Sequence, residues 1–186
     1  MIRSLTSARW IAAGLLTVAM TTTAAVLTAR PTPAEDRQAI ADVVALVAYE
    51  ADARDWAALR RLYADTVRVD YTSLNGGEAS NVPADGLIAG WRELLPGFDL
   101  TQHMLGPVVV ALDGDEAVAR THVRALHRIA GAAGGDDWIV GGHYTYRLAR
   151  RGERWAITGH TLGAAYQEGN RALPQAARQR QSSRGK

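Results

Sequence analysis

Five polar side chains in this chain sit at positions whose neighbours are apolar. Asp52 closes a stripe of small residues, Ala41, Ala45 and Ala48, which leaves space beside its carboxylate. His103 stands just ahead of a strand-like run. Tyr71 follows Val67 and Val69 at every second position, and His127 follows Thr121, Val123 and Ala125 in the same way. Tyr144 shares a strand face with Val140, Tyr146 and Leu148. Burying a carboxylate, an imidazole or a phenol costs free energy unless the group finds a partner or does chemistry. Gathered in one cavity, these groups form a general acid–base set with a phenol to stabilise an oxyanion. The bland reading is open too: a solvated helix-end acid, a loop histidine bonded to backbone, and aromatics that simply pack.

Other chemistries lack their signatures. No G-x-G-x-x-G follows a strand, and there is no P-loop, H-E-x-x-H or G-x-S-x-G. With no cysteine, disulfides, thiolate catalysis and Cys-ligated zinc are excluded. The five histidines include no pair four apart on a helix and none two apart on a strand, so no metal site is expected, nor any other cofactor. His122, His143 and His160 fall on other strand faces or on the last strand and read as surface or structural residues.

The elements that must position the five groups follow from periodicity. The length of 186 residues, 47% of them hydrophobic, suits one compact domain. Ile40, Val43, Val44 and Val47 recur at helical spacing within 35–54, with Glu35 and Asp36 at the positive end of the dipole. Asp55 is an N-cap for a second helix with Trp56, Leu59, Leu62 and Tyr63 as its buried stripe. Residues 66–73 alternate as a strand that carries Tyr71. Pro83 and Asp85 open a third helix containing Leu87, Ile88, Trp91, Leu94 and Leu95, and Pro96-Gly97 ends it. Strands follow at 107–112, 117–129, 138–150 and 155–162, joined by Gly-containing turns at 113–116 and 151–153. This order predicts an α+β fold, with about three helices on the concave face of one curved, mixed or antiparallel sheet.

The net charge of +2 conceals segregation. Residues 1–34 hold three arginines and no acid, and residues 171–186 hold four arginines and Lys186, again with no acid. Between them stand all 19 acids against 13 arginines, a net of −6. Such a body offers no continuous basic surface, which excludes nucleic-acid binding as the main role. Arg3 and Arg9 precede an apolar run over residues 10–29, which is expected to act as a signal peptide or membrane anchor within 1–30. The protein is therefore expected to be exported or membrane-anchored. Residues 31–34 read as a Pro-stiffened linker and 169–186 as a basic disordered tail.

A set of short motifs then carries a family resemblance. A helix-end aspartate, Asp52, precedes Asp55-Trp56-Ala57-Ala58-Leu59-Arg60. Arg68-Val69-Asp70-Tyr71-Thr72-Ser73 comes next, then Thr101-Gln102-His103, His127, Gly142-His143 and the closing Trp155-Ala156-Ile157. In order and spacing these resemble the scytalone dehydratases, within the SnoaL-like branch of the NTF2-like superfamily. The resemblance covers 48–162 and implies a cone-shaped SnoaL-like domain over 35–168. It implies His103 as the acid–base, Asp52 holding its tautomer, Tyr71 polarising a carbonyl, and His127 assisting departure of a hydroxyl. Tyr144, Tyr49 and Trp91 are expected to contact substrate. Two positions depart from the family: Ala51 stands for a tyrosine, and Tyr144 for an asparagine that binds substrate. The implied function is cofactor-free dehydration or isomerisation of a cyclic or polyketide-like hydroxy-ketone. The alternative is a non-catalytic cone that holds an apolar or aromatic carbonyl ligand, or a membrane-tethered interaction module. A homo-oligomer, dimer or trimer, is expected in either case.

Overall fold

The computed structural model describes residues 30–184; the leader or anchor expected over 1–30 lies outside them except for Arg30. Among the described residues no helix is long and apolar enough to cross a membrane. Helix α1 spans Pro33–Ala53. It starts two residues earlier than the acidic cluster suggests, inside the expected 31–34 linker. Thr32 caps it, accepting from Glu35 N while the Glu35 side chain accepts from Thr32 N at 2.7 Å. Pro33 fits the first helical turn because its fixed φ is already helical and it brings no N–H that needs a partner. The helix ends where Arg54 turns to φ 60°.

Helix α2 (Trp56–Arg61) is capped by Asp55, whose carboxylate accepts from Ala58 N at 2.8 Å. It stops before Tyr63, which was expected on its buried stripe and instead opens strand β1 (Tyr63–Asp70). The strand in turn ends before Tyr71, because Asp70 accepts from the backbone and hydroxyl of Thr72 and bends the chain into the short helix α3 (Thr72–Asn75). Strand β2 (Ser80–Pro83) pairs with β1 and leads directly into helix α4 (Ala84–Leu94). A 3-10 turn at Leu95–Gly97 precedes β3 (Leu100–Leu105), β4 (Val109–Asp113), β5 (Glu116–Arg128), β6 (Asp137–Arg151) and β7 (Arg154–Gly169). His103 therefore lies inside a strand, not just ahead of one.

The strands form one sheet in the order β2-β1-β7-β6-β5-β3, and β4 also pairs with β5. All pairings are antiparallel except β1 with β7. Helices α1, α2 and α4 supply the expected helical layer. Ile40, Val44 and Val47 of α1 join Leu59, Ile88, Val67, Tyr146, Leu148 and Ile157 in one core. The N-terminal end of α1 is pinned by Asp36, which is buried against the sheet and accepts from the Arg150 guanidinium and from Trp155 Nε1.

The segment expected to be disordered forms helix α5 (Leu173–Arg184). Its composition is mostly polar, but Leu173 and Ala177 are buried, Ala177 against the 3-10 turn, and Arg180 pairs with Asp99 at 2.7 Å. Gly97 permits this close seating: a Cβ there would stand 2.1 Å from the Ala177 carbonyl oxygen.

Candidate active site

Asp52 occupies the last turn of α1, and β3 runs past that end of the helix. The carboxylate accepts twice from one residue, from His103 N at Oδ2 (2.7 Å) and from His103 Nδ1 at Oδ1 (2.8 Å). A carboxylate only accepts, so the neutral imidazole must carry its proton on Nδ1 and leave the Nε2 lone pair bare. Burial alone would raise the Asp52 carboxyl, but the hydrogen bonds and charge of His103 hold it below its ordinary value. Asp52 thus stays ionised behind the imidazole as a fixed acceptor.

His103 lines a cavity of about 810 Å³, as do Tyr71, Trp91, His127, Tyr144 and His160. The rest of the wall is mainly aliphatic, with Val47, Val123, Val140 and Leu162 among its side chains. His127 stands across from His103 with ring centroids 5.5 Å apart and packs on Trp138 at 4.6 Å and Phe98 at 5.0 Å. Burial first, then the nearby His103, lowers its pKa to about 3. It is neutral at any ordinary pH, and among the described residues its buried Nδ1 has no hydrogen-bond partner.

The other focus is His160, 1% exposed, which was read from the sequence as surface or structural. Its Nδ1 lies 3.0 Å from the Tyr63 hydroxyl and its Nε2 3.2 Å from the Tyr71 hydroxyl. Burial lowers its pKa to about 3 as well, so the ring has one proton to share between two phenols. Tyr63 is fully buried, and among the described residues its hydroxyl has no acceptor other than His160. Its proton must go to Nδ1, because a buried O–H without an acceptor is costly. Nε2–H then donates to the Tyr71 oxygen, which leaves the Tyr71 O–H free to donate into the cavity. Burial pushes the Tyr63 and Tyr71 phenols well above 10 and raises Tyr144, so these groups act as donors and not as bases.

The alternation that hid His160 breaks at one residue. Arg147 pairs with Gly159 and Leu148 with Ile157, so Thr158 is an extra residue in β7. This bulge turns Ile157 and His160 to the same side. His122 and His143 are exposed as expected.

The structure therefore brings together His103, Asp52, His127, Tyr71, Tyr144 and Trp91. Asp52 acts from behind His103 and does not face the cavity. Tyr49 is a correction: it is 70% exposed and lies on the outer surface of α1 beside Gln102 and Met104, not in the cavity. The helix faces its core with Val44, Val47, Ala48 and Ala51, which turns residue 49 away. Among the described residues no group of three or more His, Asp or Glu side chains is arranged to hold a metal ion.

A curved open sheet folded round helices, with His103 in the wall of its cavity and Asp52 behind it, is the architecture of an NTF2-like protein. Residues 32–161 match the SnoaL-like domain, and the chain belongs to that family. Among solved structures, it is similar to the Kfla4162 protein from Kribbella flavida, with 31% identity, a TM-score of 0.73, and coverage of 77% of this chain and 99% of that one. It is also similar to a putative scytalone dehydratase from Novosphingobium aromaticivorans (19% identity, TM-score 0.62, 74% and 89% covered). A hexachlorocyclohexane dehydrochlorinase, LinA-type3 from Novosphingobium barchaimii, shares the fold at 17% identity (TM-score 0.60, 74% and 92% covered). No curated protein matches the chain.

Proposed function

We propose that this protein is a cofactor-free hydro-lyase or isomerase that removes a proton beside a carbonyl. The observation that carries the reading is the Asp52–His103 pair: a half-buried carboxylate fixes the imidazole so that a bare Nε2 belongs to the wall of an apolar cavity. Nε2 takes the proton from the carbon next to the carbonyl. The C–H electron pair forms an enolate, and the Tyr71 O–H donates to the developing oxyanion. Collapse of the enolate expels the β-hydroxyl, which takes the proton from the His103 imidazolium and leaves as water. Asp52 stabilises the imidazolium between the two steps. His127, being neutral, can donate a hydrogen bond to the departing hydroxyl but has no additional proton to give. Returning the proton to another carbon of the enolate, without loss of water, is isomerisation by the same groups.

The walls support the substrate class. The aliphatic and aromatic lining suits a cyclic hydroxy-ketone, and the fold relatives named for dehydration and dehydrochlorination are consistent with elimination chemistry. The test is turnover of a panel of cyclic β-hydroxy ketones, followed by the ultraviolet absorbance of the enone product. Wild type should turn over at least one, and His103→Ala should lose about 10²–10⁴-fold, the usual worth of a positioned general base. Equal rates in the two proteins would remove His103 from the mechanism. If wild type binds panel members without converting any, the cavity is a ligand-holding site instead.

A further inference from the structure

Helix α5 brings to the cavity a charge that its other walls lack. Two guanidinium groups, Arg171 and Arg178, line the cavity, and among the described residues no carboxylate does. They flank Pro174, also a lining residue, at a spacing that puts all three on one side of the helix and the turn before it. The arginines of this segment divide by task. Arg180 and Arg184 seat the helix, pairing with Asp99 and with the Pro96 carbonyl at 3.1 Å. Arg171 makes one bond, to the Gln167 carbonyl at 3.2 Å, and Arg178 makes neither an ion pair nor a hydrogen bond with any described residue. Two guanidinium groups at a cavity mouth make a local positive charge on a body whose residues 35–170 sum to −6, and they are placed to receive an anion.

We infer that the ligand of this cavity is an aromatic or alicyclic carboxylate, its ring inside and its carboxylate at the mouth between Arg171 and Arg178. Guanidinium groups present paired N–H donors that match the two oxygens of a carboxylate. The site also orients the ligand. Gln167 accepts from Trp138 Nε1 at 3.0 Å, and Trp138 lies against His127, so an anion at Arg171 sits on the His127 side of the cavity. The reacting carbon is then presented towards His103 from that side. As a statement about substrate the inference rests on the reading above; as a statement about ligand charge it is tested by binding alone.

The experiment is isothermal titration of the full chain at low salt with 2-naphthoate and its uncharged counterpart 2-acetylnaphthalene. In wild type the naphthoate should bind roughly 10-fold tighter, a modest preference because the arginines are partly solvated. In R171Q/R178Q the preference should vanish while the affinity for 2-acetylnaphthalene stays within about twofold, since both side chains are exposed and an unchanged circular dichroism spectrum shows the fold retained. Equal affinity for the two probes in wild type overturns the inference. A preference that survives in the double variant, or a matching loss of the neutral probe, overturns it too. Absence of turnover in the hydroxy-ketone panel leaves these binding outcomes intact, so the two readings fail separately.

Discussion

Asp52→Asn should abolish the base without disturbing the fold. The substitution exchanges a group that accepts at both oxygens for one that accepts at one atom and donates at the other. The His103 backbone N–H, 2.7 Å from Asp52, can only donate, so it claims the amide oxygen. The amide NH2 is thereby turned to His103 Nδ1, 2.8 Å away in the wild type, and must donate to it. The neutral imidazole then carries its proton on Nε2, the atom meant to accept one. Both hydrogen bonds survive in number, and only the charge is lost. The stability cost should be about 1 kcal/mol for a pair that is partly solvated. For a domain of this size that corresponds to a fall in Tm of about 2–4 °C. The rate should fall by about 10²–10⁴-fold, as it does where a comparable amide holds a catalytic imidazole in the wrong tautomer. Nitrogen-15 NMR of labelled histidine gives a readout that needs no substrate, because protonated and bare ring nitrogens resonate far apart. The reasoning is refuted if His103 keeps its proton on Nδ1 in the variant, or if the variant turns over at the wild-type rate.

The remaining predictions concern the buried histidines and their phenol partner. Unfolded, His127 and His160 take up protons near pH 6.5, whereas in the fold both stay neutral down to about 3. Between those values the unfolded state binds more protons, so stability should fall as pH drops below 6.5, by at most about 1.4 kcal/mol per pH unit for each histidine. Asp52, held below its ordinary 3.8, adds a loss only at still lower pH. Denaturant midpoints at pH 7 and pH 5 should show the decline, and a flat profile would show that these rings are not desolvated in solution. Tyr63→Phe removes the donor that fixes the His160 tautomer, so Nε2 becomes free to accept the Tyr71 proton. We expect kcat to fall about 10-fold or more with KM little changed, because the Tyr71 donor acts on an oxyanion present only in the transition state. Equal effects on KM and kcat would reduce Tyr63 to a packing residue.

Residues that depend on local pattern were legible in the sequence, and those that depend on a register or a third partner were not. The alanine stripe ending at Asp52 and the Thr-Gln-His run marked the two halves of the acid–base pair, although 51 residues separate them. His160 was hidden because alternation counted from Trp155 and Ile157 points it outwards, and the extra residue at Thr158 reverses that count. Tyr63 fitted a helical stripe as well as a strand start; tertiary pairing with Ile157 of β7 decided between them. Tyr49, expected to contact substrate, is excluded from the cavity by the core-facing side of α1, which Val44, Val47, Ala48 and Ala51 occupy. Helix α5 gave no periodic signal because only Leu173 and Ala177 are buried on it, and its ordering comes from Gly97 and Asp99 on the surface beneath.

The seating of α5 on the 3-10 turn has a consequence for how such a protein can change. The stretch shared with the SnoaL-like family ends at residue 161, and both mouth arginines lie beyond it. On the readings proposed above, proton transfer and the apolar walls belong to the shared stretch, and recognition of a ligand's carboxylate belongs to the segment after it. A new tail laid into the same Gly97 notch could bring a different guest to an unaltered proton-transfer apparatus.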